Sequence, residues 1–396
     1  MTRDRTAFPT PPSRPTRRRA LKLMAGGTAM ALAAPYCIRP AEAQENTLRA
    51  LMWEGYALPE VIAAFEEAHG VRFTPTFFDG NSEAYNKLRV GGSKDFDLVQ
   101  ADGFWPGLYY REGLIRSFDF AALSSSGGYF PTFKPETFEL LMDAESGDVF
   151  GAPFCWGSYG ITYNADAVPA EKAGSLELMF DPDFAGRLST SARFEENIAM
   201  AGILVAERMG TKDAPRPDGK SFNPYVLTDE ELAGVEALLI EQKRLLLTRY
   251  QDNNTLRQLL AGQAVVAAPE FAQVYRLLRA EHDAGNLPTE FDHQLVPKEG
   301  GLGWVDTWLV TSGVEDGGRL ELATAWIDMI TSPEVMKKIS LASGCSTTVD
   351  IRSLSTPEEQ ALFLMDRTAE LEDMYMFDQP SSTEKWERVW SNMQAA

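Results

Sequence analysis

Thr47-Leu-Arg-Ala-Leu-Met-Trp53 opens the stretch of the sequence that decides the fold. It is typical of a strand and is followed by Pro59-Glu-Val-Ile-Ala-Ala-Phe-Glu-Glu-Ala-His69, whose apolar residues recur at helical spacing. A second predicted strand, Val71-Arg-Phe-Thr-Pro-Thr-Phe77, precedes a second predicted helix, Asn81-Ser-Glu-Ala-Tyr-Asn-Lys-Leu-Arg89. A third strand, Asp97-Leu-Val-Gln-Ala101, completes the pattern. Strands that alternate with helices predict a parallel sheet in an α/β lobe.

Three loops follow these predicted strands: 53–56, 78–82 and 102–105. The ligands of open α/β sheets bind at the carboxyl ends of the strands, in the loops that lead to the helices. These loops combine aromatic rings with carboxyl groups. We therefore predict that they contribute five residues to a binding site: Trp53, Glu54, Tyr56, Asp102 and Phe104.

A second informative stretch is Val296-Pro-Lys-Glu-Gly-Gly-Leu-Gly-Trp-Val-Asp306-Thr307. Trp304 and Asp306 are two residues apart, so in an extended segment their side chains point to the same face. The face of an indole ring attracts positive charge and a carboxylate neutralises it, which suits an organic cation. A structural tryptophan beside a solvated aspartate is the commoner explanation of such a pair, so this hypothesis needs partners elsewhere in the chain.

The chain has 396 residues, which is too long for a single hydrophobic core, and we expect two lobes. The β-prone run 151–164, which contains Trp156 and several glycines, is the predicted first crossing between them. Glu195 and Glu196 fall in the first turn of a later predicted helix, where simple capping is the alternative to a role in binding. Glu270 follows a predicted buried strand, again at the edge where α/β lobes bind ligands.

The N-terminus has the pattern of an export signal. Arg17, Arg18 and Arg19 precede a short apolar run, and Ala41-Glu-Ala43 is a small-x-small cleavage site. We therefore predict a twin-arginine signal peptide over residues 1–43, cleavage near Ala43 and a periplasmic protein. The apolar run is too short to remain as a membrane-spanning helix.

The formal net charge of the whole chain is −20. The predicted signal contains eight Lys and Arg against two Asp and Glu, so its removal makes the chain still more acidic. Such acidity argues against binding to nucleic acid or to anionic membranes, and it permits attraction of cationic ligands. Solubility is the more common reason for an acidic surface.

After the predicted signal the chain has two cysteines, Cys155 and Cys345. Export allows a disulfide. The sequence does not place the two residues within bridging distance, and we therefore favour two buried free thiols.

Motifs of catalysis are not found in the sequence. The three histidines are scattered, and neither an HExxH motif nor Cys/His metal spacing occurs. A G-x-S-x-G elbow is also missing. We expect no enzyme activity, no metal and no cofactor, although a cleft with two carboxyl groups also describes a glycosidase or a sugar-binding site.

Several segments, in their order along the chain, resemble the periplasmic spermidine/putrescine-binding proteins, which are extracellular solute-binding proteins of ABC importers. The most specific segment is Pro297-Lys-Glu-Gly-Gly-Leu-Gly-Trp-Val-Asp306, and the others are Leu51-Met-Trp-Glu-Gly-Tyr-Ala-Leu-Pro59, Phe65-Glu-Glu-Ala-His-Gly-Val71, Asp97-Leu-Val99 and Pro153-Phe-Cys-Trp-Gly157. The resemblance covers essentially the whole chain after the signal. It implies an α/β, two-lobed periplasmic-binding-protein fold, each lobe a mainly parallel sheet flanked by helices, with a ligand cleft between lobes that close by hinge motion.

The resemblance also implies lobe limits and partners. We expect residues 44–156 and 304–350 to form lobe 1, and residues 157–303 and 351–396 to form lobe 2. The expected partners are a small cationic ligand, namely a polyamine such as putrescine or spermidine, and the permease of an ABC transporter in the inner membrane. We expect a monomer.

Finally, the resemblance implies roles for the candidate residues. The aromatic side chains that line the cleft are Trp53, Tyr56, Phe104 and Trp304, with Trp156 at the hinge. The carboxyl groups that anchor amines are Asp306 and either Glu195 or Glu196, with Glu54, Asp102 and Glu270 as additions where the family has neutral residues. Several carboxylates in a closed cleft need compensating positive charge, which a cationic ligand supplies. A diamine, a triamine, a basic amino-acid derivative and a sugar all stay open as ligands.

Overall fold

The structure is a computed structural model and describes residues 46–216 and 219–396. The predicted twin-arginine signal and its cleavage site lie outside the described residues. Residues Thr47–Ala396 group into one unit.

The strands of this unit are connected through shared hydrogen-bonded neighbours. They are β1 (Thr47–Met52), β2 (Arg72–Phe77), β3 (Leu98–Ala101), β4 (Ile115–Arg116), β5 (Ala152–Asn164), β6 (Leu188–Ser191), β7 (Leu246–Tyr250), β8 (Ala267–Glu270), β9 (Phe291–Gln294), β10 (Gly301–Thr311), β11 (Ser346–Thr347) and β12 (Met374–Met376).

The α-helices alternate with these strands along most of the chain. They are α1 (Pro59–His69), α2 (Asn81–Arg89), α3 (Trp105–Arg111), α4 (Ala170–Ala173), α5 (Phe194–Met209), α6 (Asp229–Lys243), α7 (Asn253–Ala261), α8 (Gln273–Asp283), α9 (Gly318–Ile330), α10 (Pro333–Ser343), α11 (Pro357–Leu362) and α12 (Thr383–Ala395). Within the described ranges, none of the helices is both long enough and apolar enough to cross a membrane.

The first half of the sheet contains the three strands that open the predicted pattern. β1 lies between β2 and β3 and is parallel to both. Helix α1 ends at Gly70, whose φ of 64° lies in the left-handed region that glycine adopts without steric cost. β10 is antiparallel to β3, with Thr307 opposite Ala101. The carboxyl end of β3 therefore lies beside the middle of β10.

β5 belongs to both halves of the sheet. Its residues up to Tyr159 pair with β10, whereas Gly160 to Asn164 pair with β8 and β9. The predicted first crossing between the lobes is therefore a single long strand. In the second half, β6 is parallel to both β7 and β8. Because β5, β9 and β10 make antiparallel pairs, both halves are mixed sheets rather than mainly parallel ones.

Two large hydrophobic cores lie against the two halves of the sheet. The C-terminal segment is divided between them, with Ile351 and Phe363 in the first core and Trp386 and Trp390 in the second. The lobe limits stay a prediction. This packing favours a return of the chain to the second lobe at α12 rather than at residue 351.

Cys155 and Cys345 form a disulfide, so the prediction of two free thiols is wrong. The reason lies in the sheet: β11 pairs with β5 and sets Thr347 opposite Cys155, which brings Cys345 to a Cα–Cα distance of 5.8 Å. The two cysteines are 190 residues apart, and the sequence carries no local sign that β11 joins this strand.

Candidate functional site

Trp304 and Asp306 lie on β10 close to the crossing strand, and each is only 5% exposed. The β5–β10 register sets Trp304 opposite Gly157. A Cβ atom on Gly157 would come within 2.8 Å of the indole ring. A residue with a side chain at position 157 would therefore displace the ring, and glycine in β5 allows the tryptophan to lie against the strand.

A second carboxyl group, that of Asp102, lies beside Asp306. Thr307 is opposite Ala101 on the antiparallel strands β3 and β10, so one step further along the same register places Asp102 next to Asp306. The Tyr56 hydroxyl donates a hydrogen bond of 2.5 Å to Asp306 Oδ2. The Asn81 side-chain amide donates to Asp102 Oδ1 at 2.5 Å. Loops after all three predicted strands of the first lobe thus meet at this point.

Both aspartates have a raised affinity for protons. Burial raises the pKa of Asp306 well above its usual range, and the carboxyl of Asp102 raises it further, against the hydrogen bond from Tyr56. Burial also raises the pKa of Asp102 to about 6, against the hydrogen bond from Asn81 and the charge of Arg193. A buried carboxyl group beside a half-buried one does not ionise cheaply together with it, so the pair retains a proton near neutral pH while no cation is bound.

A third acid, Glu196, enters from α5 in the second half of the protein. It is 6% exposed, and its Oε2 has no hydrogen-bond partner among the described residues. Arg193 Nη1 lies 3.7 Å from its other oxygen. Burial raises the pKa of Glu196 to about 7, and the charge of Arg193 opposes that shift. Glu195 is exposed, so of the two predicted alternatives only Glu196 faces the interior.

Aromatic rings lie between the Asp102–Asp306 pair and Glu196. Phe271 lies 6.4 Å from Trp304, 4.9 Å from Tyr159 and 5.9 Å from Phe377 between ring centroids. Phe271 and Phe377 pack against both hydrophobic cores. Burial raises the pKa of Tyr225 well above its usual value, and the charges of Glu196 and Asp102 raise it further, which places this phenol in the field of both acids.

Residues 60–361 match the family described as bacterial extracellular solute-binding protein. The chain belongs to this family. The resemblance stated from the sequence is thereby confirmed, and with it membership of a solute-binding rather than an enzyme family.

This solute-binding protein has relatives of low identity and high coverage. The spermidine/putrescine-binding periplasmic protein of Escherichia coli (strain K12) is 23% identical over 340 residues, which cover 85% of this chain and 86% of the relative. The solved structure of the spermidine/putrescine ABC transporter substrate-binding protein PotD from Streptococcus pneumoniae has a TM-score of 0.67 at 16% identity, covering 88% of this chain and 99% of its own. The Atu4243-GABA receptor gives a TM-score of 0.62 at 17% identity, with coverages of 88% and 98%. These likenesses confirm the two-lobed α/β fold.

The remaining candidates of the solute-binding protein lie elsewhere or at the edge of the site. Trp53 is partly buried, with its ring 4.2 Å from that of Phe78, and Phe104 is partly exposed. Glu54 is exposed on the short 3-10 helix Glu54–Tyr56 and does not turn inward with Tyr56. Trp156 is fully buried in the first core beside Phe133. Its burial indicates a packing role at the crossing strand rather than ligand contact.

Glu270 is fully buried, but its carboxyl group already accepts hydrogen bonds from other groups of the protein. The backbone N–H groups of Val274 and Tyr275 donate to it at 3.0 and 3.3 Å, and the Thr162 hydroxyl donates as well. The carboxylate therefore satisfies the N-terminus of α8. Glu270 therefore has a structural role at the start of α8, and this role requires no ligand.

We accordingly expect Glu270→Ala to destabilise the solute-binding protein by about 3 kcal/mol, because buried donors of α8 lose their acceptor. Urea unfolding measures this loss. Putrescine affinity, measured by calorimetry on the folded variant, should not change. A variant that keeps its stability and loses affinity would instead make Glu270 an amine anchor.

Proposed function

We propose that this protein captures a small organic amine between its two lobes and delivers it to the permease of an ABC transporter. The observation that carries the proposal is the burial of Asp306 and Glu196 among aromatic rings, with no lysine or arginine paired to Asp306 in the described chain. A buried carboxyl group without a cation is costly. An ammonium group would neutralise it, and the aromatic rings would cover the alkyl chain and the charge.

In this proposal the ligand lies across the crossing strand β5. Asp306 and Asp102 bind one end from the first lobe, and Glu196 binds the other from the second. Trp53, Tyr56 and Trp304 stack on the ligand. Such a ligand would link the lobes and favour the closed state, which the permease recognises. The spermidine/putrescine names of the relatives support the same ligand class.

The proposal extends to the cellular role. The protein would act as a monomer in the periplasm after cleavage of the export signal near Ala43, and it would bind its ligand without converting it. The proposed lack of enzyme activity is testable. A chromogenic glycoside should not be hydrolysed, and the ligand should be recovered unchanged from the complex.

Isothermal titration calorimetry tests the proposal. The protein is first unfolded and then refolded, so that it carries no co-purified ligand. Putrescine, spermidine, arginine, γ-aminobutyrate and a neutral sugar form the panel. One-to-one binding of a polyamine is expected. No binding of any cation, or thermal stabilisation by the sugar alone, would overturn the proposal.

Neighbouring glutamates on α5 supply a matched pair of variants. Glu196→Gln should weaken amine binding about 10-fold, because a buried charge-assisted hydrogen bond is lost. Glu195→Gln should bind like the unmodified protein, since Glu195 is exposed. Calorimetry with the best ligand of the panel measures both. Equal losses in the two variants would show that the general charge of the helix matters, and not the buried acid.

A further inference from the structure

Arg276 joins helix α8 to elements that pack on the first core. The helix itself belongs to the second half of the sheet, where its Val274 shares a small core with Phe291 of β9. The acceptors of Arg276 lie outside that half, because Cys345 and Phe363, which adjoin them along the chain, are buried in the first core. Arg276 is only 3% exposed, so this contact between the two halves is buried.

The guanidinium group donates hydrogen bonds to three neutral acceptors. Nη2 donates to the Ser346 hydroxyl of β11 at 2.6 Å, and Nε donates to the carbonyl oxygen of Leu362 at 3.2 Å. Nη1 donates to the carbonyl oxygen of Gly344. Gly344 ends α10 and Leu362 is the last residue of α11, so the group lies at the C-terminal ends of two helices. The carbonyl groups there carry partial negative charge, which stabilises a buried cation.

The charge and the shape of this group make the contact specific. Burial lowers the pKa of Arg276 to about 10, and the Glu270 carboxylate opposes that shift, so the group stays charged at neutral pH. A guanidinium presents its N–H donors in one plane and in fixed directions, and its three acceptors must therefore keep their places relative to α8. A cavity of about 320 Å³ lies beside Arg276, between α8 and residues 360–367, so apolar packing there is incomplete.

The contacts of Arg276 span the point where β5 passes from one half of the sheet to the other. Ser346 pairs with β5 at Trp156, whereas β8, which leads into α8, pairs with β5 at Gly160. Rotation of the lobes about this strand would move α8 relative to β11 and α10, and buried donors and acceptors would lose their partners. The contacts therefore add to the cost of opening the lobes.

We propose that Arg276 is a positioning residue that fastens the two lobes outside the ligand cleft and slows the release of the ligand. Opening must break its contacts whether or not a ligand is bound, so a variant that lacks them opens more readily in both states. The apparent affinity then falls by one factor for every ligand, because that factor depends on the population of the closed form. The inference goes beyond the proposed function, and only its kinetic test rests on that function.

The first test needs no ligand. Arg276→Met keeps an apolar side chain and removes every donor, and small-angle X-ray scattering of the ligand-free variant should give a larger radius of gyration than that of the unmodified protein. Arg276→Lys retains the charge without the planar fork and should lie between the two. Arg279→Met is the matched control, since Arg279 pairs with Asp283 of α8 itself at 3.0 Å. This control should scatter like the unmodified protein.

The second test is the rate of ligand release. In stopped-flow experiments, putrescine and spermidine should both dissociate about 10-fold faster from Arg276→Met, with an association rate that does not fall. Burial raises the pKa of Tyr56 well above its usual value and the charge of Arg276 opposes that shift, so this charge reaches the cleft. Loss of a repulsive charge alone would slow dissociation, and more so for the triamine. Ser346→Ala removes one acceptor and should change both measurements in the same direction as Arg276→Met, by less.

The outcomes separate this inference from the proposed function. An unchanged radius of gyration and unchanged dissociation rates in Arg276→Met would overturn the role of Arg276 and leave an amine-binding protein. Slower association at an unchanged radius would show damage to the cleft, and it would also overturn that role. A larger radius in Arg276→Met, with no binding of either amine to the unmodified protein, would support the fastening and overturn the proposed function. Thermal unfolding checks that each variant folds, and Ser346→Ala and Arg276→Lys carry the same test if Arg276→Met does not.

Discussion

Asp306→Asn is expected to weaken amine binding about 100-fold, or ~3 kcal/mol, because a buried charge pair would lose one partner. The same variant should be as stable as the unmodified protein without ligand, or more stable. Asp306 is 5% exposed beside a second carboxyl group, and folding without a ligand forces it to take up a proton that the unfolded chain releases, so an amide in its place removes this cost. Opposite effects on affinity and stability are what distinguish a ligand anchor from a structural acid.

The pH dependence of stability has a definite sign. Burial raises the pKa of Asp306 and raises that of Asp102 to about 6. A carboxyl group whose folded pKa is raised contributes stability that is complete below its unfolded value, about 4, and is lost as the pH rises through the folded value. We therefore expect the ligand-free protein to lose stability between about pH 4 and pH 7 through these groups. Thermal unfolding of Asp306→Asn should show a smaller loss over that range.

Asp97 provides the matched control, because it is a buried aspartate with cationic partners. Arg319 Nη2 lies 2.6 Å from its carboxyl group, and Arg49 Nε lies 3.6 Å from it. Asp97→Asn should lower stability and leave amine affinity unchanged in the folded variant, since it is remote from the site at the start of β3. If Asp306→Asn destabilised the ligand-free protein as Asp97→Asn does, Asp306 would be a structural residue.

The sequence predicts the first lobe's topology and the central pair of the site from local patterns. β1, α1, β2, α2 and β3 appear where the alternation of apolar runs and helical spacing placed them. Trp304 and Asp306 were recognisable because a period of two puts them on one face of a strand. Asp102 was predicted from the rule that ligands bind at the carboxyl ends of strands. Its position beside Asp306 could not be predicted in the same way, because it depends on the β3–β10 register.

The same rule placed Glu270 at the ligand edge, where local backbone geometry changes its role. Ala272, two residues later, has a φ of 62°, and this turn starts α8 so that the Glu270 carboxylate meets the N–H of Val274. Glu54 illustrates a related limit, because the short 3-10 helix Glu54–Tyr56 turns Tyr56 inward and Glu54 outward. The sequence pattern shows neither the inward turn of the Glu270 carboxylate toward α8 nor the outward position of Glu54.

Phe271 and Phe377 were missed because their place depends on pairing between distant segments. Phe377 comes after β12, which joins the sheet by pairing with Gly301–Gly303 of β10. The backbone N–H of Phe377 donates to the carbonyl oxygen of Gly303 at 3.0 Å, and this contact carries the ring toward Phe271. A signal did exist for Phe271, since it follows the end of β8 directly, at the edge where ligands bind.

Removal of the disulfide is the second change with a large expected effect. The double variant Cys155→Ala/Cys345→Ala should lose about 4 kcal/mol of unfolding free energy, because the bridge closes a long loop in the unfolded chain. The cysteines are 190 residues apart, so the entropy of the unfolded chain rises strongly when the link is cut. Guanidinium chloride or urea unfolding, read by tryptophan fluorescence, measures the change.

The amine affinity of the folded double variant should stay near that of the unmodified protein. Cys155 lies opposite Asp306 on β10, yet both strands are held by ladder hydrogen bonds on either side of the bridge. Reductant should lower the stability of the unmodified protein and leave that of the double variant unchanged, which separates loss of the bond from loss of packing at two buried side chains. Two thiols that titrate in the unfolded, non-reduced protein would contradict the bridge. A large fall in affinity would instead make the bond part of the binding geometry, because Asp306 would then depend on β5 and β11 being covalently joined.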